Sequence, residues 1–199
     1  MKKIVIVGAG SSGLIAAAMM KNYWGNEVDI SVYYDKSNKN IAVGESTTPI
    51  IRLLLTHLGL STGELFRELK NGATMKLGIN FKDWIPGTEY FHGFGQVPVF
   101  DITNTSAIYS IPEKKFNGGM NYNEPDFKIP DKPFEEYDHA FHIDTQDFSD
   151  LILKVLGDTV NFVDTKIKSV LSDGENIISL TTEDDEIITA DLFVDCSGF

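Results

Sequence analysis

Near its start the chain carries Gly8-Ala9-Gly10-Ser11-Ser12-Gly13, a G-x-G-x-x-G run, and an acid, Asp35, stands 22 residues after the last of these glycines. Such a run binds a pyrophosphate when it joins a buried strand to a helix. Gly8 lets the chain turn sharply, Gly10 lets the backbone approach the phosphates, and Gly13 lets helix and strand pack closely. Ala9, Ser11 and Ser12 complete the loop, and the N–H groups and partial positive charge of the helix start face the anion. Asp35 would accept hydrogen bonds from ribose hydroxyls and would repel the ribose phosphate of NADP; Tyr34 occupies the neighbouring position. Taken alone, these residues indicate a dinucleotide and do not separate NAD from FAD.

The elements around the loop fit that chemistry. Lys3-Ile4-Val5-Ile6-Val7 is a short apolar run suited to a strand buried on both faces. Residues 11–24 follow as a helix stopped at Gly25-Asn26, and residues 28–34 form a second strand ending at Asp35, a β-α-β unit. Further on, the pattern predicts a helix from Pro49 to Leu58, a helix from Ser61 to Lys70 opened by a Ser61/Glu64 capping box, and a strand over 76–84. Residues 85–135 are rich in Pro, Gly, Asn and aromatics and read as an irregular substrate region inserted in a single domain over 1–199. Asp144 caps a helix to Leu156, strands near 159–163, 166–172, 176–182 and 186–190 form a β-meander, and a last apolar strand runs from Ala190 to Val194.

Composition narrows the function. The formal net charge is −12, which disfavours a nucleic-acid partner. A single cysteine, Cys196, fits a reducing cytoplasm and reads as a small buried hydrophobe. No apolar run is long enough to predict a membrane span. His57, His92, His139 and His142 show no metal-ligand spacing, so no metal is expected.

Four further segments carry a resemblance. Ala42-Val43-Gly44-Glu45-Ser46-Thr47-Thr48-Pro49 resembles the V-G-E-x-T-x-P segment of flavin-dependent tryptophan halogenases. Ala73-Thr74-Met75-Lys76-Leu77-Gly78-Ile79-Asn80-Phe81, followed by Trp84, is similar to the segment around that family's catalytic lysine. Tyr90-Phe91-His92-Gly93-Phe94-Gly95 is similar to its F-H-P-F-G loop, with Gly93 in place of proline. Ala190-Asp191-Leu192-Phe193-Val194-Asp195-Cys196-Ser197-Gly198-Phe199 resembles its A-D-L-F-x-D-C-[ST]-G-F. The matches occur in family order along nearly the whole chain.

The resemblance implies an α/β fold: a Rossmann-like, three-layer FAD module of the flavin monooxygenase type with a β-meander. It implies FAD as cofactor, reduced by a separate flavin reductase, and a halide ion as substrate. Reduced flavin, oxygen and chloride or bromide give hypohalous acid, which Lys76 relays, as a haloamine or by hydrogen bond, to an aromatic ring such as tryptophan or indole. Hypohalous acid is indiscriminate in water, so its path must be enclosed. A halogenated lysine would need a neutral amine and hence burial. Without the resemblance, Lys76 reads as an ordinary lysine at a strand end. Gly44, Glu45 and Ser46 would line the flavin, mostly through backbone groups; the plainer alternative for Glu45 is a carboxylate at a helix start. Ser197 and Gly198 read as a flavin-side turn or a plain strand exit, and the Ile167 backbone would meet the adenine.

The sequence also departs from the family. W-x-W-x-I-P is absent, and the catalytic glutamate, the halide-binding loop and the closing strand of the FAD sheet would lie beyond Phe199. The expectation is therefore the N-terminal portion of a halogenase, weakly active or inactive alone, with a homodimer or a complementing C-terminal chain as partner. Two alternatives stay open: a flavin monooxygenase or oxidoreductase without halogenation, and a non-catalytic flavin-binding fragment.

Overall fold

The computed structural model describes residues 1–37, 44–94 and 139–198. The chain divides into two compact units: Met1–Glu45, Leu53–Ala73 and Ile143–Phe199 form the first, and Ser46–Arg52 with Thr74–His142 the second. Most of the region expected to form the irregular insertion, from residue 95 on, falls outside the described residues, as do Val43 and Phe199.

The first unit is built on a parallel sheet. Strand β1 (Lys2–Val7) pairs on one side with β2 (Val28–Tyr34) and on the other with β12 (Leu192–Asp195), and β8 (Asn161–Asp164) extends the sheet beyond β2. Neighbours on both edges and layers on both faces explain why Ile4, Val5 and Ile6 are all buried. The register sets Val7 beside Tyr33 and Asp195, so the strands end together where the glycine loop begins. Asp191 fixes the β1–β12 start: its carboxylate accepts the Lys3 N–H at 2.8 Å and the Lys2 Nζ at 2.9 Å.

Side chains alternate across the sheet. One face receives helix α1 (Ser11–Trp24), which buries Gly13, Leu14, Ala17 and Ala18; its small residues allow close approach to helix α4 (Thr145–Leu156). Asp144 caps α4 as the sequence suggests, accepting the N–H groups of Gln146 and Asp147 at 2.9 Å each. On the opposite face Val5 and Tyr33 meet Leu180 and Ile188 of an antiparallel meander, ordered β11 (Ile187–Ile188), β10 (Ile177–Thr182), β9 (Ile167–Ser172). Helices, parallel sheet and meander make the expected three layers. One strand changes place: the segment expected to begin the meander is β8, which pairs parallel to β2. A Pro-free, half-buried run of four residues carries no signal for which sheet it joins.

Helices α2 (Ile51–His57) and α3 (Thr62–Glu68) are shorter than the sequence suggests. The Ser61/Glu64 capping box is present, with the Glu64 carboxylate accepting the Ser61 N–H at 2.7 Å and the Ser61 hydroxyl accepting the Glu64 N–H at 3.2 Å.

The second unit carries a hairpin of β5 (Gly78–Lys82) and β6 (Glu89–Gly93). The strand expected over 76–84 is two strands, because β4 (Ala73–Lys76) ends before Leu77 and β5 pairs elsewhere. Strands β3 (Gly44–Ser46) and β7 (Ala140–Asp144), not anticipated from sequence, pair with β4 in the order β3-β7-β4. No helix among the described residues is long and apolar enough to cross a membrane.

Candidate functional site

The glycine loop is shaped by steric necessity. Gly8 has φ +105°, and a Cβ on it would fall 2.2 Å from the Cys196 carbonyl oxygen. A Cβ on Gly13 would fall 1.9 Å from the Gly8 carbonyl oxygen. The first turn of α1 therefore stacks on the loop, and the loop stacks on the exit of β12, with no room for a side chain at either contact. Backbone hydrogen bonds hold the stack: the Gly8 N–H donates to Tyr33 O and the Cys196 N–H to Val7 O, both at 2.8 Å.

This places the start of a 14-residue helix at the carboxyl end of β1. Gly10 occupies the N-cap position, no side chain caps the helix, and its first turn holds no acid. The Ala9–Ser12 stretch thus offers backbone donors and the positive end of the helix dipole, without a competing carboxylate. That donor set fits a pyrophosphate.

Asp35 follows β2, where the sequence puts it, but its carboxylate already has partners. It accepts the Ser37 hydroxyl at 2.6 Å and the Ser37 N–H at 2.8 Å, and its other oxygen is 3.3 Å from Lys166 Nζ. The Ser37 hydroxyl foremost, with the Ser37 N–H and Lys166, holds the carboxyl below its ordinary range. Asp164 accepts the Lys36 N–H at 2.9 Å nearby. A polar cleft opens here, lined by Asp35, Ser37, Asp164, Thr165 and Lys166 together with Glu183 and Asp184 of the meander turn. Sequence reasoning missed Lys166 and Asp164. Their signal is topological: β8 lies beside β2, so its end meets the end of β2.

The last described residues form a turn. Asp195 accepts the Ser197 hydroxyl at 2.6 Å and its N–H at 2.9 Å, and Gly198 has φ +72° with open space where a Cβ would stand. Burial and the neighbouring Asp195 push the Cys196 thiol up, which leaves it a packing residue under the glycine loop. Ile167 opens β9 and packs, half-buried, against the Val5/Tyr33 core. Gly44, Glu45 and Ser46 are exposed along β3.

Lys76 belongs to the second unit. Its Nζ donates to the Thr47 carbonyl at 3.0 Å and lies 5.3 Å from the centre of the Phe94 ring. Thr47 is itself tied to β7: its N–H donates to Phe141 O at 2.9 Å, and its hydroxyl donates to the same oxygen at 3.0 Å and accepts the Phe141 N–H at 2.9 Å. Phe141 is fully buried. The lysine thus brings together three of the four segments that carry the resemblance: that of Gly44–Pro49, its own, and that of His92–Phe94. Thr47 went unnoticed in the sequence because its part depends on β7.

A model of the tryptophan halogenase family matches residues 3–199. Tryptophan 6-halogenase ThaL of Streptomyces albogriseolus is 28% identical over 228 residues, covering 100% of this chain and 43% of the relative. The crystal structure of tryptophan 6-halogenase SttH from Streptomyces toxytricini gives a TM-score of 0.74 at 25% identity over 99% of this chain and 44% of that one. The flavin-dependent halogenase BrvH from Brevundimonas sp. BAL3 gives 0.70 at 28% identity, over 100% of this chain and 43% of that one. The chain spans less than half the length of these relatives. With the family model running along nearly its whole length and the same fold in both structures, this chain belongs to the tryptophan halogenase family.

Proposed function

We propose that this chain is the FAD-binding and lysine-bearing portion of a flavin-dependent halogenase that acts on an aromatic ring of the tryptophan or indole type. The observation that carries this reading is the placement of Lys76 Nζ on the Thr47 carbonyl and beside Phe94. An isolated strand-end lysine would need no such seat.

In this reading the Gly8–Gly13 loop holds the pyrophosphate through Ala9, Gly10, Ser11 and Ser12, and Asp35, steadied by Ser37 and Lys166, takes the ribose. Gly44, Glu45, Ser46, Ile167 and Gly198 contribute mainly backbone contacts to FAD. Reduced FAD, when bound, would supply two electrons to oxygen, which with a halide ion and protons gives hypohalous acid and water. A separate cytoplasmic reductase provides the reduced form. Lys76 then positions the hypohalous acid: an ammonium carries three donors, and one is spent on Thr47, so others remain for the acid's oxygen. The ring's electrons form the new carbon–halogen bond, the oxygen–halogen bond breaks, and the oxygen leaves as water with the proton that Lys76 donates. The ring proton is released to solvent, and the lysine amine takes a proton back from solvent to regain its ammonium form. Enclosure matters because free hypohalous acid attacks any electron-rich group.

The test is a halogenation assay on the protein from its complete reading frame, with FAD, a flavin reductase, bromide and tryptophan or indole. Brominated product that disappears in Lys76→Ala, with flavin binding kept, is the expected result. Hydroxylated product without bromination would favour a monooxygenase.

A further inference from the structure

We infer that Thr47 is the positioning residue for Lys76: its hydroxyl locks the Thr47 peptide onto β7, so that the Thr47 carbonyl holds the lysine ammonium in one place. This rests on the reading of Lys76 as the catalytic lysine.

The lysine stem is a flexible four-carbon chain with a point charge at its end, and needs an outside restraint to hold one position. The Phe94 ring attracts the charge, but a ring face 5.3 Å away gives little direction. The 3.0 Å bond to Thr47 O is directional, and a backbone carbonyl is only as fixed as its peptide. The Thr47 hydroxyl supplies that fixity. It donates a hydrogen bond to Phe141 O and accepts one from the Phe141 N–H, while the Thr47 N–H adds a third bond to the same residue. A hydroxyl is both donor and acceptor, so serine can replace threonine here and valine cannot. Phe141, fully buried, is a firm anchor. Thr47 also directly follows β3, whose residues we assign to the flavin, so the lysine's restraint is the next residue along the chain from those contacts.

The test reads the lysine itself and needs no turnover. The chain is treated briefly with acetic anhydride, and acetylation of Lys76 is measured by mass spectrometry relative to Lys82, an exposed lysine of the same hairpin unit. In the unaltered chain Lys76 should react at least about tenfold more slowly than Lys82, the size expected from one hydrogen bond to a charged group. Thr47→Val should remove most of that protection, Thr47→Ser should retain it, and Asp191→Asn, which weakens the β1–β12 start in the first unit, should leave the ratio unchanged. Folded Thr47→Val with unchanged protection would overturn the assignment. If Thr47→Val does not fold, the unaltered chain decides: Lys76 reacting as fast as Lys82 also overturns it. The two readings fail separately. Full bromination by Lys76→Ala would refute a catalytic lysine while leaving the labelling result intact.

Discussion

The α-carbon of Gly13 lies so close beneath the Gly8 carbonyl that a single methyl there would sit 1.9 Å from the oxygen. Both neighbours are backbone, so no rotamer change relieves the clash. Gly13→Ala should therefore push α1 away from β1, at a cost of about 2 kcal/mol or more in unfolding free energy. Urea unfolding followed by circular dichroism checks this, and flavin affinity should fall in parallel. Gly25→Ala is the contrast: a Cβ there meets nothing within 4 Å, so only its positive φ is strained.

Acid should destabilise the first unit through carboxylates that are held ionised in the folded chain. Asp195 is kept low by the Ser197 hydroxyl and then its N–H, Asp191 by the Lys3 N–H and then Lys2, and Asp35 by the Ser37 hydroxyl. A carboxyl whose folded pKa lies below its unfolded one stabilises the fold above the unfolded value, about 4, and loses that contribution as pH falls through the folded value. Melting temperature should thus be flat from neutral pH to about 5 and drop below about 4. Asp191→Asn and Asp195→Asn should each lower the plateau and flatten the acid limb. A melting temperature independent of pH down to strong acid would contradict this.

The cap of α4 gives a local check on stability. Asp144 accepts two N–H groups at the start of the helix. Asp144→Ala should cost about 1 kcal/mol in chemical denaturation, and Asp144→Ser should recover most of it. The glycine loop is a separate feature of the unit, so flavin affinity should change little.

Much of the glycine loop and of the elements around it is legible in the sequence because its causes are local. A run of four apolar residues, glycines at fixed offsets and an acid at the end of the next strand mark β1, α1 and β2 without tertiary information. The caps at Ser61 and Asp144 are legible for the same reason, since each acts within one turn. What is not legible depends on pairing at long range. Strands β3 and β7 are only three and five residues long, and they become strands only by pairing in one sheet. The place of β8 beside β2 brings Lys166 to Asp35, and the tie from Thr47 to Phe141 spans 94 residues. Lys76 is the intermediate case. Its residue type and neighbours single it out only through the resemblance, and its partners emerge only from the fold.

The most direct measurement is mass spectrometry of tryptophan or indole after incubation with the complete protein, a flavin reductase, FAD and bromide, comparing the unaltered enzyme with Lys76→Ala and Lys76→Met. Brominated product from the unaltered enzyme, reduced on the order of a hundredfold or more in both variants while flavin still binds, is the expected result. Bromination at the same rate without the Lys76 amine would contradict the role assigned to it.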